Sequence, residues 1–134
     1  MSGAARNATS AVSEPGASVP PPRSAHVPLR VQVFWPEPGV AVLKVDGEVD
    51  VATAAPLTSA LDDLAERRPR VAVVDLTKVD FLGSAGLAAL ALASEHGDVR
   101  VVAPTRQTAR PLSITGLDRR MPIYTSRDEA LSSC

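Results

Sequence analysis

Residues 71–76, with the sequence VAVVDL, constrain the fold more than any other part of the chain. Four successive apolar residues leave no polar face, so a strand formed here needs cover on both sides. That requirement is typical of a central strand in a sheet whose faces are both covered by helices. The segment therefore predicts a layered α/β domain.

Two further strands are predicted upstream. Residues 29–35 alternate apolar and polar side chains at a period of two, and residues 40–45 are largely apolar and β-branched. Residues 36–39, PEPG, form a turn signal between them. A connection this short favours an antiparallel hairpin.

A first helix is predicted after the hairpin. Asp50 is a candidate N-cap, Pro56 limits the start of the helix, and Pro69 terminates it. Its apolar stripe has helical spacing and consists of Leu57, Ala60, Leu61 and Leu64.

A second helix is predicted from Ser84 to about Ser94, with Gly97 as its stop signal. Residues 88–93, AALALA, contain no polar side chain, so we expect this to be the most buried helix of the domain. A strand over residues 99–102, a helix over 108–117, a strand over 123–124 and a helix over 127–131 capped by Ser126 complete the order ββαβαβαβα. The predicted fold is α/β: a mixed sheet, with an N-terminal hairpin followed by parallel βαβ units, packed against about four helices.

Residues 1–28 differ in composition from the rest of the chain. Five are proline and five are serine, and large apolar residues are nearly absent. Such a segment buries too little apolar surface to offset its ordering entropy. We predict a disordered Pro/Ser/Ala-rich tail over residues 1–28, dispensable for folding, and one domain over residues 29–134.

The charge balance and residue usage narrow the function. Lys and Arg total 14 against 15 Asp and Glu, giving a net charge of −1, and aromatic residues make up 3%. The net charge does not favour electrostatic binding of nucleic acid, and the low aromatic content does not favour stacking on bases. Cys134 cannot form a disulfide within the chain, and no apolar run reaches the length of a membrane span. We expect a cytoplasmic protein that binds neither nucleic acid nor membrane.

No catalytic constellation is evident. His26 and His96 lack a nucleophile or metal partner at characteristic spacing, so both are expected to be exposed to solvent. Asp46, Glu48 and Asp50 form a carboxylate cluster that is either a divalent-cation site or a charged turn with a helix cap. Residues 83–86, GSAG, lack the lysine of a phosphate-binding loop, and the glycines at 47 and 86 suit turns or close packing. We predict no enzymatic activity, no metal and no cofactor.

Ser84 stands at the predicted start of the second helix, and two interpretations remain open. Its hydroxyl can cap the free N–H groups of the first turn. Alternatively, a phosphate on Ser84 would lie at the positive end of the helix dipole and add about −1.5 to −2 charges.

Residues 71–87, VAVVDLTKVDFLGSAGL, resemble the signature of STAS domains, specifically the anti-sigma factor antagonists. Residues 47–50, GEVD, resemble the strand-to-helix junction of that family, and residues 115–117 and 121–124 resemble its C-terminal portion. The resemblance covers about residues 29–131. The family pattern often has Asp where Gly83 stands, and a second hydroxyl residue where Ala85 stands.

The resemblance implies a binding module that engages an anti-sigma factor, typically a GHKL-type serine kinase, and so releases a sigma factor. Phosphorylation of a serine at the position of Ser84 then frees the kinase, and a serine phosphatase resets the switch. A STAS scaffold or transporter-accessory module that works without phosphorylation is the alternative. The residues expected to contact the partner are Asp46, Gly47, Glu48, Asp50, Gly83, Ser84, Ala85, Gly86 and Leu87.

Overall fold

The computed structural model describes residues 28–132 and contains one five-stranded sheet. The strands lie side by side in chain order: β1 (Arg30–Glu37), β2 (Val40–Val49), β3 (Val71–Leu82), β4 (Val99–Val102) and β5 (Ile123–Tyr124). The first two strands are antiparallel, and β2 to β5 are mutually parallel. The predicted hairpin and mixed sheet are therefore confirmed.

In the described part of the chain, four α-helices accompany the sheet: α1 (Ala55–Arg67), α2 (Ser84–Ala93), α3 (Arg106–Ile114) and α4 (Arg127–Ser132). The helix predicted over residues 108–117 differs, because α3 ends at Ile114 and a separate 3-10 helix spans Leu117–Arg119. Gly116 divides them with a φ of +79°, a left-handed conformation that a glycine adopts without steric cost.

The two faces of the sheet are covered unequally. The main core lies between one face and α1 to α3, where its largest fully buried side chains are Leu43, Leu57, Leu76, Leu90 and Leu112. The other face carries a smaller cluster under α4, formed by Val42, Val71, Val73, Val102 and Ala130. The first six residues of β3 are all buried, as the pattern of residues 71–76 predicts.

The prediction that α2 is the most buried helix is confirmed by its exposed share, because three of its ten residues are exposed, against eight of thirteen in α1. Only Gly86 and Leu90 of this helix are fully buried, whereas α1 buries three leucines. Ser84, Ala88 and Leu92 follow one another at a spacing of four and are exposed, with Leu92 at 52%. Five more residues of α2 are half-buried against the main core, so the apolar helix leaves only this one stripe exposed.

The last helix begins as predicted. The Ser126 Oγ accepts a hydrogen bond from the Glu129 N–H at 3.1 Å, which is the geometry of an N-cap. The Thr125 hydroxyl and N–H donate to the Glu129 carboxylate, and these bonds hold the pKa of Glu129 below its usual value.

Within residues 28–132 no helix is both long and apolar enough to cross a membrane. His26, Cys134 and nearly all of the predicted tail lie outside this range, so the domain boundary at residue 29 stays a prediction.

Candidate functional site

Ser84 is the first residue of α2 and is exposed to solvent. Gly83 occupies the N-cap position with an extended backbone (φ −92°, ψ −173°), and no side chain caps the helix. The Gly83 carbonyl instead accepts the N–H of Leu87 at 3.1 Å. The capping interpretation of Ser84 is therefore wrong, because the Ser84 hydroxyl does not cap the helix.

The end of β2 lies directly beside the start of α2. Val49 pairs with Leu82 and Glu48 with Phe81 in the parallel ladder. The ladder continues one residue beyond β3, where the Gly83 N–H donates to the Val49 carbonyl at 2.8 Å. Two segments more than thirty residues apart in sequence, which were both predicted to contact a partner, are thus brought to one edge of the sheet.

Two glycines make this junction close. A Cβ on Gly86 would lie 2.6 Å from Val49 Cγ1 and 2.7 Å from Leu82 Cδ1, so the first turn of α2 sits directly on the core. A Cβ on Gly83 would lie 2.9 Å from the Phe81 ring. The Phe81 ring therefore occupies the space that the Asp of the family pattern would enter. Gly86 is a packing glycine, as one of the two interpretations had it.

Asp50 does not cap α1, contrary to the prediction. The helix begins at Ala55 with Ala54 at its N-cap, because the chain first completes a tight turn over residues 50–53. Asp50 Oδ1 accepts the N–H groups of Ala52 (2.9 Å) and Thr53 (3.1 Å). The buried Thr53 hydroxyl donates to the Glu48 carbonyl at 2.6 Å and so fixes the turn to the end of β2.

This turn holds Val51 at its tip, and the side chain is 90% exposed. Phe81, which precedes α2, is 51% exposed. Together with Ser84, Ala88 and Leu92 they form what we call the Ser84 surface. Sequence reasoning did not single out Val51, Phe81 or Leu92, although a bulky apolar residue inside a polar turn was a usable signal at position 51.

The structure separates Asp46 from the other carboxylates. Side chains alternate along β2, and Val45 faces the main core while Asp46 lies on the opposite face, beside Lys44 and Lys78. Glu48 and Asp50 remain at the end of the strand, near the Ser84 surface. Gly47, with φ +125°, marks an irregularity of the β2–β3 register.

Within residues 28–132 no three His, Cys, Asp or Glu side chains are grouped so that they could hold a metal ion. Asp50 is engaged in its turn, so the charged-turn interpretation of the carboxylates fits the structure better than the divalent-cation interpretation. His96 is exposed near the C-terminal end of α2, as predicted.

The STAS domain profile matches residues 36–130, which include the C-terminal ends of β2 and β3 and all of α2. This chain belongs to the STAS domain family. A relative within the family, the anti-sigma-F factor antagonist RsfB of Mycobacterium tuberculosis, is 41% identical over 98 residues, spanning 70% of this chain and 80% of RsfB.

Solved STAS structures agree with this assignment. An anti-sigma factor antagonist from Mycobacterium paratuberculosis superimposes with a TM-score of 0.73 at 38% identity, covering 78% of this chain and 92% of that one. SpoIIAA of Bacillus, solved in its phosphorylated form, has a TM-score of 0.62 at 14% identity, with 78% and 98% covered. That likeness shows a shared fold.

Proposed function

We propose that this STAS domain is an anti-sigma factor antagonist that binds an anti-sigma factor through the Ser84 surface and is released when Ser84 is phosphorylated. The exposed Ser84 hydroxyl at the head of an apolar, solvent-facing helix stripe carries the proposal. The names of the two mycobacterial relatives support the antagonist assignment. The partner acts on a sigma factor, so the complex belongs in the cytoplasm.

The chemistry of the surface defines what the partner must offer. Val51, Phe81 and Leu92 expose apolar area that water solvates poorly, and burying it favours association. Glu48 and Asp50 add negative charge beside it. The complementary face is therefore an apolar patch with Lys or Arg at its rim, a pairing that fixes orientation as well as affinity.

Phosphorylation needs only an accessible hydroxyl and a kinase, which we propose is the anti-sigma factor itself, of the GHKL type. The Ser84 oxygen attacks the γ-phosphorus of ATP, ADP departs, and the hydroxyl proton passes to a base of the kinase. The first-turn N–H groups of α2 tolerate the new phosphate, so the fold persists. A serine phosphatase then hydrolyses the ester and restores the binding form.

The same phosphate opposes binding. It introduces about −1.5 to −2 charges into an apolar contact that already has Glu48 and Asp50 beside it. Burying a charge that has no counter-ion costs at least about 3 kcal/mol. A loss of about 3 kcal/mol weakens binding by roughly a hundredfold or more, since each 1.4 kcal/mol is a factor of ten.

Calorimetry with the purified anti-sigma factor tests the proposal. We expect Ser84→Ala to bind like the unmodified protein, and Ser84→Glu to bind at least about tenfold more weakly, since a tenfold loss is about 1.4 kcal/mol. Ser113→Glu is the matched control, because Ser113 is an exposed helical serine on α3. Equal affinity of the Ser84→Glu and Ser113→Glu proteins would contradict the switch.

A second experiment separates the switch from the alternative of a STAS scaffold that works unmodified. The protein is incubated with the anti-sigma factor and ATP, and intact-mass spectrometry counts added phosphate. We expect one phosphate on the native chain and none on Ser84→Ala. Partner binding without phosphate transfer would leave the antagonist role intact and remove the switch.

A further inference from the structure

The two lysines of this chain lie on the same surface. Lys44 and Lys78 are the only lysines among 14 basic residues, and both line the same two neighbouring cavities. Both cavities open on the sheet face opposite α1 to α3, so they are remote from the core that positions the Ser84 surface. The arrangement is independent of the proposed function.

This face is open because α4 covers only part of it. In one row across three strands, Gln32 pairs with Lys44, and Lys44 with Asp75. Gln32 is exposed, Lys44 is half-buried and Asp75 is buried, so the row is polar throughout and opens to solvent toward β1. Parallel strands usually carry apolar side chains on both covered faces, so this polar row is unusual and offers charged groups to a ligand.

The smaller cavity, about 160 Å³, is lined entirely by polar side chains: Arg30, Gln32, Lys44, Asp46 and Lys78. Three cations against one carboxylate leave a net charge of +2 (3 − 1 = 2). Within residues 28–132 none of the three cations forms an ion pair, since the salt bridges there join other residues. Their charge is therefore available to a ligand.

The larger groove, about 480 Å³, continues from the smaller cavity past Lys44 and Lys78. Its buried carboxylate, Asp75, does not neutralise these lysines, because it is already satisfied. The Arg127 Nε donates to it at 3.0 Å, and the Thr77 N–H donates at 3.0 Å. The volume is in the range that holds a small organic molecule.

We propose that this face binds a small phosphorylated molecule, with its phosphate in the smaller cavity between Arg30, Lys44 and Lys78. A phosphate dianion matches the net charge of the lining, and ammonium and guanidinium groups form strong charge-assisted bonds to it. The Gln32 amide supplies a further donor. The rest of the molecule lies in the larger groove beside Thr77 and Arg127.

The scarcity of lysine makes a direct experiment possible. The full chain is treated with a limiting amount of an acetylating reagent, with and without inorganic pyrophosphate, and each amine is quantified by mass spectrometry. We expect pyrophosphate to slow acetylation of both lysines and to leave the α-amino group unchanged. Sodium chloride at equal ionic strength controls for general screening.

Chemical-shift titration with pyrophosphate then measures affinity. We expect Lys44→Gln and Lys78→Gln each to weaken binding about tenfold, the loss for one charge-assisted bond. Arg119→Gln, an exposed cation on the 3-10 helix, is the matched control and stays within about twofold.

Three results would overturn the proposal: lysines equally reactive with and without pyrophosphate, equal protection by chloride, or protection of one lysine alone. Ser84→Ala binds pyrophosphate normally if the site is the one proposed. A loss of pyrophosphate binding in Ser84→Ala would place the anion elsewhere and also overturn it.

Discussion

Gly86 positions α2 because no side chain fits between the helix and β2. The nearest atoms to a Cβ at this position belong to Val49 and Leu82, which are fully buried and cannot move aside without disturbing the core. Gly86 has no left-handed backbone, so the requirement comes from space and not from conformation. The position of Ser84, two residues earlier, therefore depends on the lack of a Cβ at Gly86.

We predict that Gly86→Ala destabilises the domain by about 1–3 kcal/mol, the usual cost of overpacking a core. Urea denaturation followed by circular dichroism measures the change. In a double-mutant cycle, Val49→Ala removes the closest methyl groups, so the double variant loses about 1 kcal/mol less than the sum of the single changes. Additive losses would show that Gly86 is not held by this contact.

At the scale of elements, α2 combines two opposite environments in one apolar helix. Leu90 is fully buried against the sheet, whereas Leu92, two residues later, is 52% exposed. The stripe that Leu92 shares with Ala88 and Ser84 therefore contributes little to folding. It remains available as the outer part of the Ser84 surface.

The two leucines offer a matched comparison. We predict that Leu90→Ala lowers the free energy of unfolding by about 2–5 kcal/mol, as removal of a buried leucine does. We predict that Leu92→Ala changes it by less than about 1 kcal/mol, since a half-exposed side chain leaves no cavity. Leu92→Ala also weakens binding of the anti-sigma factor if the stripe is part of the contact. Similar stability losses for the two variants would mean that α2 is packed on both sides.

At the scale of the whole molecule, two arginines join the last helix to the sheet: Arg100 on β4 donates to the Ala130 carbonyl at 2.9 Å, and Arg127 on α4 reaches back to β3. The Arg127 guanidinium bonds to the Asp75 carboxylate on β3 and lies 5.2 Å from the centre of the Phe34 ring on β1. Asp75 is only 3% exposed, whereas the Arg127 side chain is 35% exposed. The two ends of the folded chain thus meet over the middle of the sheet.

This difference in burial predicts that removing Arg127 destabilises the fold more than removing the charge of Asp75. Arg127→Met leaves a buried carboxylate without its counter-ion and should cost about 2–4 kcal/mol, less than a fully buried pair because Arg127 is partly in water. Asp75→Asn leaves Arg127 free to reach solvent, and its amide oxygen still accepts the Thr77 N–H, so about 1 kcal/mol is expected. Thermal unfolding at neutral pH compares them. A larger loss for Asp75→Asn would contradict the burial argument.

The strands at residues 99–102 and 123–124 and the Ser126 cap were predicted correctly because each depends on a local pattern. The error at Asp50 and the exposed stripe of α2 both follow from how the chain packs. The Asp50 turn closes through Thr53 and Glu48, and Leu92 is exposed although seven residues of the same helix are buried or half-buried. Neither arrangement leaves a trace in local spacing.

The sequence alone determined the α/β class and the order of the elements, and it singled out Ser84 as the candidate site, because hydrophobic periodicity and short motifs act over a few residues. Only the tertiary structure decided which side chains meet. Gly83 reaches Val49 across more than thirty residues, Leu92 stays in solvent, and Asp46 turns away from Ser84 toward Lys44 and Lys78. Burial and contact are properties of the packed chain, since each depends on neighbours that the strand register brings together.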